Sequence, residues 1–292
     1  MRLDDQEQSS NVEDRRGSGG FSRGGGGVRL GGGKIGIGTI VVALAAWYFL
    51  GINPMAILGG GDIMQQEPAN QSQQTGSSGA NDQDKVFISK VLKTTENVWS
   101  NIFKQNGGTY QNPSLVLYSG ATRSACGVGQ AAMGPFYCPG DHKVYLDMSF
   151  FHQMGAQMGV KGDFAQGYVL AHEVGHHVQN LLGVMDKVAQ ARSSMNERQA
   201  NDLSVRVELQ ADCFAGIWAH ELQKEGTIIE DGDIEEAMNA AAAVGDDHIQ
   251  KQAQGYVVPD SFTHGSSQQR MSWFKRGLSA GDMKQCNTFA QQ

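Results

Sequence analysis

Tyr168-Val169-Leu170-Ala171-His172-Glu173-Val174-Gly175-His176-His177 is an apolar, helix-compatible run that carries three histidines and a glutamate. In a helix, residues four apart lie on one face, so His172 and His176 can present both imidazoles to a single ion. Glu173, beside the first of them, can reach a water held by that ion. Two neutral nitrogen ligands, an open coordination position and a carboxylate base are what a zinc hydrolase needs. His177 points about 100° away around the helix and reads as packing or support for a ligand. The helix is expected to run from Asp163, a good N-cap, to a C-cap at Gly183.

Two histidines leave a catalytic zinc one protein ligand short. Downstream, Val207-Glu208-Leu209-Gln210-Ala211-Asp212 falls on a second expected helix, from about Asn201 to Glu225. Leu203, Val207, Ala211, Phe214 and Trp218 would turn that helix into the core, and Glu208 and Asp212 share a face. A bare buried carboxylate costs several kcal/mol. The cost is relieved if Glu208 is the third ligand of one zinc ion per chain and Asp212 accepts the other ring N–H of His172. The competing reading is a solvated acidic stripe. Thr263-His264-Gly265, at the turn into the last helix, offers His264 as donor to an oxyanion. Arg270 is a second donor or an orienting residue.

The remaining chain sets the context. With 292 residues and a net charge of -7, there is room for one large domain or two small ones, and nucleic acid is not expected as a partner. Residues 1–34, Gly-rich and polar with five basic residues from Arg15 to Lys34, are expected to be a disordered cytoplasmic arm. Gly31-Gly32-Gly33-Lys34 is not a nucleotide-binding loop: Val28 stands where the first glycine should be, and Ile35 where Ser or Thr is required. Residues 35–52 hold no charge over eighteen positions and are expected to be a transmembrane signal anchor in the lipid bilayer. A cleaved signal peptide is the alternative. The positive charge before the anchor predicts a single-pass inner-membrane protein, its N-terminus cytoplasmic and its catalytic domain periplasmic or extracellular. Residues 53–84 read as a flexible linker and 85–292 as the catalytic domain.

Within that domain the patterns predict an amphipathic helix over 85–105, strands at Ser114–Tyr118 and Lys143–Met148, and between them a Gly-rich loop from Cys126 to Cys138. Gly129–Tyr145 is a candidate edge strand for an extended substrate, or simply a stapled surface loop. Helices are expected from Asp233, with a capping pattern to Glu236, to near Gln254, and from Ser266, which pairs similarly with Gln269. Cys126, Cys138, Cys213 and Cys286 form an even set in a domain placed outside the cytoplasm, which favours disulfides. Of the three pairings, Cys126–Cys138 with Cys213–Cys286 is the most economical; a second zinc site is the alternative, though no CxxC spacing supports it.

The whole chain resembles the bacterial neutral zinc metallopeptidase family (YpfJ-like). The resemblance is carried by NVEDRRG (Asn11–Gly17), GGGKIGIGTIVV (Gly31–Val42), LAHEVGHHVQN (Leu170–Asn180), ELQADCFAG (Glu208–Gly216) and THGSSQQR (Thr263–Arg270). It implies an α+β, predominantly helical fold: a zincin-like domain with a glutamate third ligand, as in thermolysin, behind the single N-terminal membrane helix. The expected activity is hydrolysis of protein or peptide substrates. Two alternative functions use the same residues: a catalytically silent, zinc-containing envelope binding or assembly factor, and a zinc amidase acting on cell-wall amides.

Overall fold

The structure is a computed structural model that describes residues 1–17 and 78–290. The described chain is predominantly helical α+β. A four-stranded sheet has the order β1 (Val12–Asp14), β2 (Ser114–Tyr118), β6 (Lys143–Asp147), β5 (Phe136–Cys138). β1, β2 and β6 are parallel, and β5 is antiparallel at one edge. β3 (Ala121–Ser124) and β4 (Gly127–Gln130) form a separate hairpin. What was expected as a Gly-rich loop from Cys126 to Cys138 therefore contains two short strands, β4 and β5, with β3 just before it. Their side chains alternate too weakly for periodicity to reveal them.

The helices are α1 (Ser78–Gln105), α2 (Ser149–Met158), α3 (Asp163–Leu181), α4 (Val184–Arg192), α5 (Glu197–Glu225), α6 (Asp233–Ala243), α7 (Asp246–Gln254) and α8 (Ser267–Ala280). Helix α3 is the central one, and nearly every side chain from Phe164 to Gln179 is buried. Against it lie α1 and α5. Trp99 of α1 meets Phe214 of α5 edge-on at 5.4 Å, and Phe164 of α3 stacks on Trp218 of α5 at 5.2 Å. Each such aromatic contributes about 1.5–3 kcal/mol by leaving water. Helix α8 packs closely along α5, where Gly277 meets the Cys213 backbone and a Cβ would collide with it.

Several expected boundaries shift. Helix α1 begins at Ser78 rather than at Lys85. The helix expected from Asp233 to Gln254 breaks at Val244-Gly245, where an added Cβ on Gly245 would meet the Ser267 backbone. Glu236 does not close a capping box; it accepts from Phe164 N at 3.1 Å and so caps the start of α3. The capping box at Ser266 and Gln269 is present, as is one at Asn196 and Gln199.

The larger correction concerns the N-terminus. Residues 1–17, expected as part of a disordered arm, are built into the fold. Met1 and Leu3 are buried in the core, and the Met1 amino group lies 2.6 Å from Asp163 and 3.1 Å from Asp233. Ser9 and Asn11 both donate to the buried Glu96 of α1, at 2.6 and 2.7 Å. Glu13 pairs with Lys143 at 2.8 Å and Asp14 with Lys85 at 3.2 Å. Polar contacts and backbone pairing hold this segment together with the buried Met1 and Leu3, too few apolar residues to mark it by hydrophobicity. Through β1 and β2, residues 12–14 and 114–118 lie side by side in one sheet. Residues 35–52 themselves lie outside the described residues, and among those described no helix is long and apolar enough to cross a membrane.

Candidate metal centre

Helices α3 and α5 bring the predicted ligands together. Gly175 lets them approach: a Cβ there would lie 3.0 Å from the Ala211 carbonyl oxygen. One turn away on either side, Glu208 Oε2 lies 3.1 Å from His172 Nε2, and Glu208 Oε1 lies 3.5 Å from His176 Nε2. The two rings are 4.8 Å apart and nearly perpendicular. Ligands at zinc bond lengths in a tetrahedron are separated by about 3.3 Å, so the observed spacing fits one ion with these three ligands. Glu173, also buried, follows His172 on the same turn.

The surrounding charges are tightly arranged. Asp212, fully buried, has Oδ1 2.8 Å from His172 Nδ1. Arg270 grips the same carboxylate with both Nε (2.8 Å) and Nη2 (2.9 Å), while its Nη1 donates to the Val244 carbonyl. Tyr168 also donates to Asp212. Burial opposes the Asp212 charge, but Arg270 and His172 outweigh it and hold its pKa below the usual carboxylate range. Burial likewise opposes charge on Glu208, and the two imidazoles hold its pKa well down. Burial alone would lower the pKa of His172, yet Asp212 and Glu208 push it up to about 9.

Arg270 is thus committed to Asp212 and is 4% exposed. Of its two expected places, second donor or orienting residue, the geometry resembles the latter: the guanidinium faces the carboxylate that contacts His172. His264 is half-exposed, on the loop before α8. Partial desolvation opposes its charge, but the hydrogen bond to Asp246 and the Glu208 carboxylate raise its pKa.

Sequence reasoning missed three residues here. Asp246 Oδ2 accepts backbone N–H from Thr263, His264 and Gly265 at 2.7, 2.6 and 2.9 Å, and its Oδ1 lies 3.2 Å from His264 Nδ1. The signal was Gly245-Asp246-Asp247, a helix start inside what read as one continuous helix. Gln179 and Gln210 were passed over because neutral amides carry no ligand pattern. Gln179 Oε1 lies 2.8 Å from His176 Nδ1.

His177 is buried on the other face of α3, between the Tyr137 hydroxyl and the Gln111 carbonyl. Burial lowers its pKa to about 4. The disulfides are Cys126–Cys138 and Cys213–Cys286. The first ties β5 to the β3–β4 hairpin; the second ties the C-terminal residues to α5.

A family model described as "Putative neutral zinc metallopeptidase" matches residues 1–289. The chain belongs to that family. YpfJ of Escherichia coli K12 is 53% identical over 293 residues, covering 100% of this chain and 99% of that protein. Rv2575 of Mycobacterium tuberculosis is 42% identical over 214 residues, 70% of this chain and 71% of that one. No solved structure matches the chain. Membership of the zinc metallopeptidase family agrees with a His172, His176 and Glu208 group able to hold the metal.

Proposed function

We propose that this chain is a zinc endopeptidase that cuts peptide bonds by water attack, with Glu173 as general base. The observation that carries the reading is the placement of one carboxylate, Glu208, at 3.1 and 3.5 Å from both imidazoles. Zinc held by His172, His176 and Glu208 would supply Lewis acidity and make water acidic enough to ionise near neutral pH. Glu173 takes the proton of the attacking water as the C–O bond forms, then delivers it to the leaving amine as the C–N bond breaks. His264, whose Nδ1 meets the Asp246 carboxylate, donates from Nε2 to the developing oxyanion in its doubly protonated form, which its raised pKa favours. No covalent bond to the enzyme is needed.

The edge strand β5 would receive the substrate. It pairs with β6 on one side, and Tyr137 fastens it beside α3 through His177. An extended peptide added to its open side would gain backbone hydrogen bonds and lie along the metal-bearing helix. The two disulfides support an oxidising compartment for the catalytic unit. The apolar residues 35–52 support association with a membrane.

The test is Glu173→Gln in the full-length protein, assayed on an unstructured protein and on purified cell wall side by side. Zinc stoichiometry near one with loss of proteolysis supports the reading. Cleavage of cell wall alone would favour an amidase. A cellular function that survives the substitution would favour a zinc-containing scaffold.

A further inference from the structure

The two histidine ligands are held by unlike partners. His172 meets a carboxylate, whereas His176 meets an amide, and that amide begins a buried relay. Gln179 Nε2 lies 2.8 Å from the Val207 carbonyl and 3.0 Å from Gln210 Oε1. Gln210 Nε2 in turn lies 2.9 Å from the carbonyl of Cys286.

The direction of every bond in this relay follows from its far end. A backbone carbonyl only accepts, so Gln210 must aim its NH2 at Cys286 and its oxygen at Gln179. Gln179 then donates both amide hydrogens, one to Gln210 and one to Val207. Its oxygen is left for His176, and an amide oxygen can only accept. His176 must therefore carry its proton on Nδ1, which leaves the lone pair on Nε2, the nitrogen that faces Glu208. The Cys286 carbonyl is itself anchored by the disulfide to Cys213 of α5. Thr288 next to it donates to the Arg206 carbonyl at 2.6 Å.

We infer that Gln179 and Gln210 are positioning residues through which the disulfide-tethered C-terminal strap selects the metal-ready tautomer of His176. The inference rests on the zinc reading of the site. The strap lies 73 residues beyond the Cys213 it is bonded to, yet it would govern a ligand on α3.

Zinc affinity, measured on the full-length protein by competition with a chromophoric chelator, tests it. Partners of this kind are worth roughly 10–100-fold in metal affinity. Gln179→Leu should lose that much and Gln210→Leu part of it, while Gln179→Glu, which keeps an acceptor on Nδ1 but gives up the donors to Val207 and Gln210, should lose clearly less than Gln179→Leu. The Cys213→Ser/Cys286→Ser pair should shift affinity in the same direction as Gln210→Leu. Nitrogen NMR of the metal-free wild-type protein reads the tautomer without any substitution and should find His176 protonated at Nδ1. The inference is overturned if His176 carries its proton on Nε2. Unchanged zinc affinity in Gln179→Leu would also overturn it, as would equal loss in Gln179→Glu and Gln179→Leu, the mark of a merely structural role. A wild-type protein that binds no zinc would instead sink the reading beneath it.

Discussion

Asp212 accepts from His172 Nδ1 at 2.8 Å with one oxygen and is clasped by the Arg270 guanidinium across both. A buried carboxylate beside a candidate ligand is thus kept ionised by a buried cation, and neither charge is left bare. Asp212→Asn should lower zinc affinity roughly 10–100-fold. Arg270→Met should act mainly on stability, at a cost of about 3–5 kcal/mol for the charge left behind. Chelator competition and urea unfolding on both variants separate the two effects. Equal affinity loss in both variants, with no change in stability for Arg270→Met, would contradict this division.

Metal binding should follow pH with a definite sign. His172 has its pKa raised to about 9, so below that it carries a proton that zinc must displace, whereas Glu208 is already ionised. Apparent zinc affinity should climb about tenfold per pH unit toward 9 and then level off. Isothermal titration in buffers of different ionisation enthalpy should count one proton released per zinc near neutrality.

His177 makes a separate contribution to acid sensitivity. Its pKa is lowered from 6.5 to about 4 in the fold, mainly by burial, so the unfolded chain takes up the proton first. Stability should therefore fall as pH drops from 6.5 to about 4, and this contribution should be fully lost below that. The difference corresponds to about 3 kcal/mol. Urea unfolding across this range, with His177→Gln as comparison, should show a shallower decline in the variant.

Asp246 gathers three backbone N–H groups and the His264 ring on one carboxylate. His264→Ala should lower kcat by about 10²–10³-fold, the usual effect of losing one oxyanion donor. Asp246→Ala should approach it while leaving zinc affinity unchanged. Steady-state kinetics beside zinc titration would expose the opposite result, a loss of metal rather than of turnover.

The parts of this molecule written as strong local patterns were legible in the sequence. His172, Glu173 and His176 lie four residues or fewer apart, and Glu208 and Asp212 sit on a helix whose apolar face points inward. Ser114–Tyr118 is a strand with the expected bounds, and the economical cysteine pairing is the one present. Features that depend on a distant partner were not legible. Arg270 reads from the sequence as a second donor or an orienting residue, and nothing local names its partner Asp212, 58 residues away. Asp246 and the two glutamines act only by hydrogen bonding across elements. Residues 1–17 are sparse in apolar residues, and beside Met1 and Leu3 it is Glu96 and the β2 backbone that hold them.

That N-terminal strand has a practical consequence. Any shortened version of the protein that starts after the apolar stretch would peel β1 from β2 and leave the N–H and C=O row of Leu115–Leu117 open along the sheet's flank. Such rows recruit other chains. Glu96 would at the same time face the interior without Ser9 and Asn11. A trimmed peptidase of this kind would be prone to clump, and its poor behaviour would report a missing strand rather than a faulty active site.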